Sequence, residues 1–216
     1  MYDSKNKSYF SLVRKDIFPL LPKNCGDVIE LGCGDGGTLA WLKATGRARH
    51  TTGMELCQAP ASLARAQVDH VIEGNIELTI KNLDSESYDL VLCLDVLEHL
   101  VDPWTVVQEL YMLLRPGGSI IISLPNVRNY RVVLPLLFNG TWRYQKYGIM
   151  DHTHLRFFAR EGAQKILTEN GFIIKDSADN GLQPRRKLEL WKAVLAKTVL
   201  RDLIVFQFLL RAEKPL

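Results

Sequence analysis

Between residues 27 and 124, short apolar runs alternate with stretches whose apolar positions recur at helical spacing, a pattern that marks a parallel sheet covered by helices. Strands are predicted at 27–31, 51–55, 70–73, 89–94 and 119–124. Helices are predicted at 38–45, 60–67, 77–83 (short) and 103–114. The last of these runs into Arg115-Pro116-Gly117-Gly118, where glycine supplies a left-handed cap and proline prevents continuation. Ahead of this block, 10–21 reads as a helix ended by Pro22. Behind it come a helix at 161–170 stopped by Gly171, a strand at 172–176, a helix around 188–200 and a final strand at 203–211 that joins the edge of the sheet.

One segment breaks the alternation. Residues 126–160 have weak periodicity and are rich in aromatic and basic side chains, among them Tyr130, Trp142, Tyr144, Arg128, Arg143 and Arg156. The chain is therefore expected to be one domain, 1–216, with 126–160 as a lid or substrate-facing insertion. Its aromatic residues can stack on a sugar or ring, or form a small core of their own.

Composition changes this picture little. The chain has 216 residues, 47% of them hydrophobic and 24% charged, which is the globular average and argues against disorder. A net charge of +3 is mild. The densest basic run, Arg185-Arg186-Lys187, reads as a solvated turn, so no nucleic-acid partner is expected. The four cysteines, Cys25, Cys33, Cys57 and Cys93, form no C-x-x-C pair, and Cys33 and Cys93, at predicted strand ends, read as small buried residues in a reducing cytosol. The start of the chain lacks the apolar core of a secretion signal, and "LIVFQFLL" (203–210) is too short for a membrane-spanning helix. A cytoplasmic protein is expected.

Candidate chemistry begins at "VIELGCGDGG", 28–37. Gly32, Gly34 and Gly37 satisfy G-x-G-x-x-G, the turn that lets backbone approach a dinucleotide, so a nicotinamide-dependent oxidoreductase is one reading. Glu30 and Asp35 oppose it, because both would repel a pyrophosphate at short range. A ligand with a cationic centre and a carboxylate fits better, the acid taking the cation and the loop N–H groups the carboxylate. At the ends of the next two strands, Glu55 can accept hydrogen bonds from ribose hydroxyls and Asn75 can bond the edge of an adenine. An amino acid, a ribose and a base are the three parts of S-adenosylmethionine.

With Glu55 in "GMEL", "GNIE", "YDLVLCLDVLEHL" and "LLRPGGSIIISLPN", this loop resembles the successive motifs of class I S-adenosylmethionine-dependent methyltransferases. The later "DHTHLRFFAREGAQKILTENGF" is similar to MetW-like and ubiquinone-biosynthesis methyltransferases. The resemblance covers 25–126 most closely, about half the chain. It implies an α/β, Rossmann-like, seven-stranded and mostly parallel sheet between helical layers, with the last strand antiparallel. It also implies S-adenosylmethionine as cofactor and S-adenosylhomocysteine as product. The methionine part would be held by Glu30, Gly32, Gly34 and Gly36, the ribose by Glu55 and the adenine by Asn75 with Ile76, and Cys33, Leu56 and Leu94 would complete the cofactor site. Asn75 departs from the aspartate more usual there.

Asp95, Glu98 and His99 in "LDVLEHL" follow the fourth strand and lie at the mouth of such a site. Methyl transfer needs an aligned acceptor and, for a hydroxyl, a base. His154 is the preferred base, with His99 and Asp95 as further candidates. His152 and His154 would share one face of a strand. Arg156 would suit an anionic acceptor. No metal is expected as the main reading; the minority one takes Asp95, Glu98 and His99 with a later histidine, by similarity to the E-x-x-E-H pattern of small-RNA 2′-O-methyltransferases. The expected function is O-methylation of a small molecule or glycan precursor, against a non-catalytic, regulatory cofactor-binding protein. The oligomeric state stays open.

Overall fold

A computed structural model describes residues 11–181, 197–198 and 200–216. The helix expected around 188–200 and the basic turn at 185–187 lie outside the described residues. Seven strands form one sheet in the order β3-β2-β1-β4-β5-β7-β6. They are β1 (Gly26–Leu31), β2 (Ala48–Glu55), β3 (His70–Glu73), β4 (Tyr88–Leu94), β5 (Leu114–Pro125), β6 (Ile173–Asn180) and β7 (Gln207–Glu213). The first five run parallel, and β7 is inserted antiparallel between β5 and β6.

Strand pleating explains why the core has two layers. Ile29 and Leu31 point to one side of β1, where they pack with Val106, Leu110 and Ile166 of α4 (Pro103–Leu113) and α6 (Arg160–Thr168). Val28 points to the other side, with Leu39 and Leu42 of α1 (Gly37–Ala44) and Ala64 of α2 (Gln58–Ala64). The start of α4 is set by its sequence: Asp102 caps it, accepting the Thr105 N–H at 3.2 Å, and Pro103 occupies the first turn. That fixes where the loop 95–102 must return to the helical layer.

Several expected boundaries move. Residues 15–20 form a 3-10 helix in place of the α-helix expected over 10–21, because Pro19 cannot donate to an α-helical ladder. The segment 77–83 splits into α3 (Ile76–Thr79) and a 3-10 turn (Ile80–Asn82). A further 3-10 turn, Arg201–Leu203, replaces the start of the last strand. The segment 126–160 contains a helix that its periodicity did not announce, α5 (Tyr130–Asn139), capped by Asn129 and closed by Gly140 at φ 60°. Pro135 inside it reads as a breaker, whereas both caps are sound helix punctuation.

Candidate active site

The glycine turn after β1 is left-handed at Gly32, Gly34 and Gly36, with φ of 65°, 58° and 85°. It is held from the neighbouring strand: Glu55 at the end of β2 accepts the Gly34 N–H through Oε2 and the Cys57 N–H through Oε1, both at 2.9 Å. The turn faces a cavity of about 400 Å³ at the carboxyl edge of the sheet. Lining it are Glu30, Gly32, Cys33, Gly34, Glu55, Leu56, Asn75, Ile76 and Leu94. The structure thus brings together nine of the ten residues expected to hold the cofactor. Gly36 is the exception. It starts α1, and a Cβ there would come within 2.5 Å of Val68, so its lack of a side chain serves helix packing. Asp35 does not line the cavity; its Oδ1 accepts the Gly37 N–H at 3.1 Å.

The acids are the electrostatic signature. Glu30 is 4% exposed, and its Oε2 has no hydrogen-bond partner among the described residues. Burial pushes its carboxyl up to about 8, with the charges of Asp35 and Glu55 adding to the effect against the opposing pull of Arg14 and Thr38. Burial likewise raises Glu55. Two carboxylates held at such cost face a cavity that would be stabilised by a cation. Asn75 has its Oδ1 engaged with the Glu77 N–H at 2.8 Å as the cap of α3, which leaves its amide N–H₂ group as the donor it can offer a ligand.

Sequence reasoning missed Arg14. Its main chain donates to Thr38 Oγ1 at 3.2 Å, and its guanidinium donates to Asp95 Oδ2 at 2.6 Å and to Ser123 Oγ at 3.3 Å. It lines the cavity with Leu12 and Thr38. Its guanidinium also grips Asp16, two positions on, but no local motif places it at the cavity, because Thr38, Asp95 and Ser123 are 24, 81 and 109 positions away. Asp95, a candidate from the sequence, adopts φ 56° after β4 and spends both oxygens on Arg14 and Gln207. Its strained backbone is over-determined by these bonds.

His99 closes the other end of the cavity. Its Nδ1 lies 3.1 Å from the Thr153 carbonyl. A carbonyl only accepts, so Nδ1 carries the proton and Nε2 the lone pair. Burial, and then the neighbouring His154, push the imidazole down to about 4, so it is neutral at physiological pH. His154 stands behind it, 7% exposed and outside the cavity lining, with ring centroids 4.7 Å apart. His154 Nδ1 lies 2.9 Å from the Ile149 carbonyl, which orients it in the same way.

Glu98 completes this group, with Oε1 4.0 Å from His154 Nε2. It is 1% exposed, neither carboxylate oxygen has a hydrogen-bond partner among the described residues, and burial raises its carboxyl well above the ordinary range. Potential ligand atoms of Glu98, His99 and His154 all fall within 4.8 Å of one another. Asp95 is not in that cluster, which changes the metal set expected from sequence.

His152 and His154 do not share a face. Residues 151–154 form a turn in which Asp151 Oδ1 accepts from the Thr153 N–H and hydroxyl at 3.0 and 2.8 Å, leaving His152 exposed and His154 buried. Arg156 is turned onto the Val101 carbonyl and over the Trp104 ring. Trp142 and Tyr144 pack on Phe157, with centroids 5.1 and 6.2 Å apart, and Phe157 packs on His154 at 6.3 Å. Trp142, Tyr144 and Phe157 thus form a small aromatic cluster leading to the histidine pair, while Phe138 and Tyr147 stay exposed.

A family profile described as "Methyltransferase domain" matches residues 2–175. The chain is similar to a ubiquinone biosynthesis O-methyltransferase of Aeromonas salmonicida, 29% identical over 69% of this chain and 63% of that protein. It is also similar to one of Stutzerimonas stutzeri, 33% identical over 56% of this chain and 57% of the other. The chain therefore spans about three fifths of the length of these relatives. Among solved structures, a SAM dependent methyltransferase from Archaeoglobus fulgidus shares the fold, with a TM-score of 0.68 at 19% identity over 97% of this chain and 95% of that one. The profile match, over the strand ends that build the cavity, shows that the chain belongs to the methyltransferase-domain family, the class I S-adenosylmethionine-dependent methyltransferases.

Proposed function

We propose that the chain is an S-adenosylmethionine-dependent O-methyltransferase whose acceptor is a hydroxyl of a small molecule or glycan precursor. The observation that carries this reading is one cavity lined both by buried Glu30, whose Oε2 has no hydrogen-bond partner among the described residues, and by neutral His99. When bound, S-adenosylmethionine supplies an electrophilic methyl group on a sulfonium centre. Glu30 would take its ammonium group, which answers the carboxylate oxygen left without a partner. The positive charge of Arg14 would face the carboxylate, Glu55 would take the ribose hydroxyls, and Asn75 with Ile76 the adenine.

His99 is placed to receive the acceptor's proton on Nε2, with the Thr153 carbonyl holding the ring in the right tautomer. His154 backs His99 and fixes its edge. Asp95 positions Arg14. The names of the curated relatives, O-methyltransferases of ubiquinone biosynthesis, support oxygen as the methylated atom. Against the nicotinamide reading stands Glu30, which lines the space beside the glycine turn that a pyrophosphate would need; Asp35 does not line it.

The test is turnover of the purified chain with S-adenosylmethionine and parallel panels of phenolic, sugar and amine acceptors, following S-adenosylhomocysteine and product mass. O-methyl products are expected. Tight cofactor binding with no turnover on any acceptor would favour the regulatory alternative, and N-methyl products alone would overturn the choice of atom.

Glu98 favours a second reading. A buried carboxylate with neither oxygen bonded, beside two histidines whose Nδ1 atoms are committed to carbonyls, is a donor set suited to a divalent cation. Such a cation would lower the pKa of a hydroxyl bound beside it. Glu98, His99 and His154 would hold it. Calorimetric titration of the chelated protein with magnesium, manganese and zinc checks this; turnover unchanged by chelation removes it.

A further inference from the structure

The segment after β5 exposes far more apolar surface than a solvated helix needs. Along α5, Leu134, Leu137 and Phe138 are 42%, 70% and 76% exposed. They stand at i, i+3 and i+4, so they form one stripe on the outer side of the helix, continued towards its start by exposed Arg131. Past the Gly140 cap, Tyr144 and Tyr147 are 54% and 62% exposed, with exposed Arg143 and Lys146 interleaved. From residue 127 to residue 150 the sequence contains no Asp or Glu. Arg128 is set apart from this count, since it lies 3.7 Å from Asp202.

We propose that this face, the outer stripe of α5 and the loop after it, docks on the surface of an anionic lipid bilayer. An apolar stripe flanked by cations and amphipathic aromatic rings, without an anion, is the chemistry that lies in a headgroup interface. No helix among the described residues is long and apolar enough to cross a membrane, and α5, ten residues long with Pro135 inside, lies on the interface. A second copy of the chain is disfavoured by charge, because a two-fold contact through this stripe would bring together Arg131 and Arg143 of both copies at a face whose residues 127–150 include no acid to pair with them. A single-stranded nucleic acid would stack on Phe138, Tyr144 and Tyr147 but leave aliphatic Leu134 and Leu137 without a partner, whereas acyl chains cover both. The face is continuous with the site, since Trp142 and Tyr144 pack on Phe157 and Phe157 on His154. A docked molecule would hold its acceptor end close to lipid.

The experiment is flotation of the full chain with vesicles of phosphatidylcholine alone and of phosphatidylcholine mixed with phosphatidylglycerol, at low and high salt. It needs no turnover, so its result is independent of the proposed activity. Flotation is expected only with the anionic vesicles and is released by salt. Leu137→Ser and Phe138→Ser should each reduce partitioning by about tenfold or more, and Arg143→Gln by about fivefold. These residues are exposed, so melting temperature and S-adenosylmethionine affinity should stay unchanged. Three results overturn the proposal: no flotation with anionic vesicles, flotation indifferent to all three variants, or a dimer in solution that Phe138→Ser dissociates.

Discussion

The two ends of the cavity are built in different ways. At the cofactor end, strand termini and tight turns do the holding, and Glu55 ties the glycine turn to β2 through main-chain N–H groups. At the acceptor end, side chains from the loop after β4 meet side chains of an insertion joined to the rest by a few bonds: the Leu155 and Arg156 N–H groups on the Glu98 carbonyl, the Asn126 N–H on the Phe206 carbonyl, and the amides of Asn126 and Asn129 on the Val205 carbonyl. The first end is fixed by backbone topology that the sheet requires anyway. The second is fixed by polar satisfaction, so its chemistry can change while the sheet is kept.

The largest expected effect breaks the acceptor end alone. His99→Ala removes the group proposed to receive the proton, and kcat should fall by about 10²–10⁴ while S-adenosylmethionine affinity is kept. Steady-state kinetics with calorimetry checks both halves. Equal loss of cofactor affinity would mean that the two ends are not separable.

Next in size is the cofactor end. Glu55→Ala should weaken S-adenosylmethionine binding by roughly 1.5–3 kcal/mol, the scale of a charge-assisted hydrogen bond. It should also loosen the turn, because the Gly34 N–H loses its acceptor. Amide hydrogen exchange at Gly34 separates the two effects: faster exchange with unchanged affinity would leave Glu55 a purely structural tie.

A third prediction concerns pH and sharpens the contrast. Without ligand, the Glu30 carboxyl sits near 8, above its ordinary 4.5, so at neutral pH it is mostly protonated. An ammonium partner favours the charged form, so S-adenosylmethionine affinity should rise as pH climbs towards about 8, with a proton released on binding. The sign for stability is opposite. A carboxyl raised in the folded state keeps a proton that the unfolded chain gives up, so folding stability is full below the unfolded value and falls as pH rises through the folded one. Glu30→Gln should therefore flatten the affinity profile, weaken binding, and raise the melting temperature of the free protein above neutrality. A variant that binds with the wild-type pH slope would show that Glu30 is not the ammonium partner.

The same division governed what could be read from the chain. Glu30, the glycines, Glu55 and Asn75 lie at the ends of consecutive strands. Once the period of the apolar runs is known, their meeting at one sheet edge follows from parallel topology. Arg14 had no such rule: its local pair with Asp16 says nothing of the cavity, and Thr38, Asp95 and Ser123, which set it there, are remote and polar. Glu98 and His154 were legible as residue types, but the turn made by Asp151 and Thr153, which buries His154 and exposes His152, depends on side-chain hydrogen bonds that strand periodicity does not encode. Helix α5 was hidden by Pro135, which reads as a helix breaker in the middle of the segment.

The smallest expected effect lies where the insertion touches the histidine pair. Trp142 is 39% exposed and packs edge-on against Phe157, which in turn packs on His154. Its ring is remote from the glycine turn, so Trp142→Ala should leave cofactor affinity as it is. Losing one aromatic pair contributes about 0.5–1.5 kcal/mol, enough to loosen Phe157 without unfolding the sheet. If the aromatic core only holds the insertion together, the loss should appear in the melting temperature and leave acceptor KM alone. If it also shapes the acceptor's place beside His99, KM should rise by a few fold while kcat stays within a factor of about two. Measuring both on the best acceptor decides whether the insertion is a support for the histidines or a wall of the acceptor site.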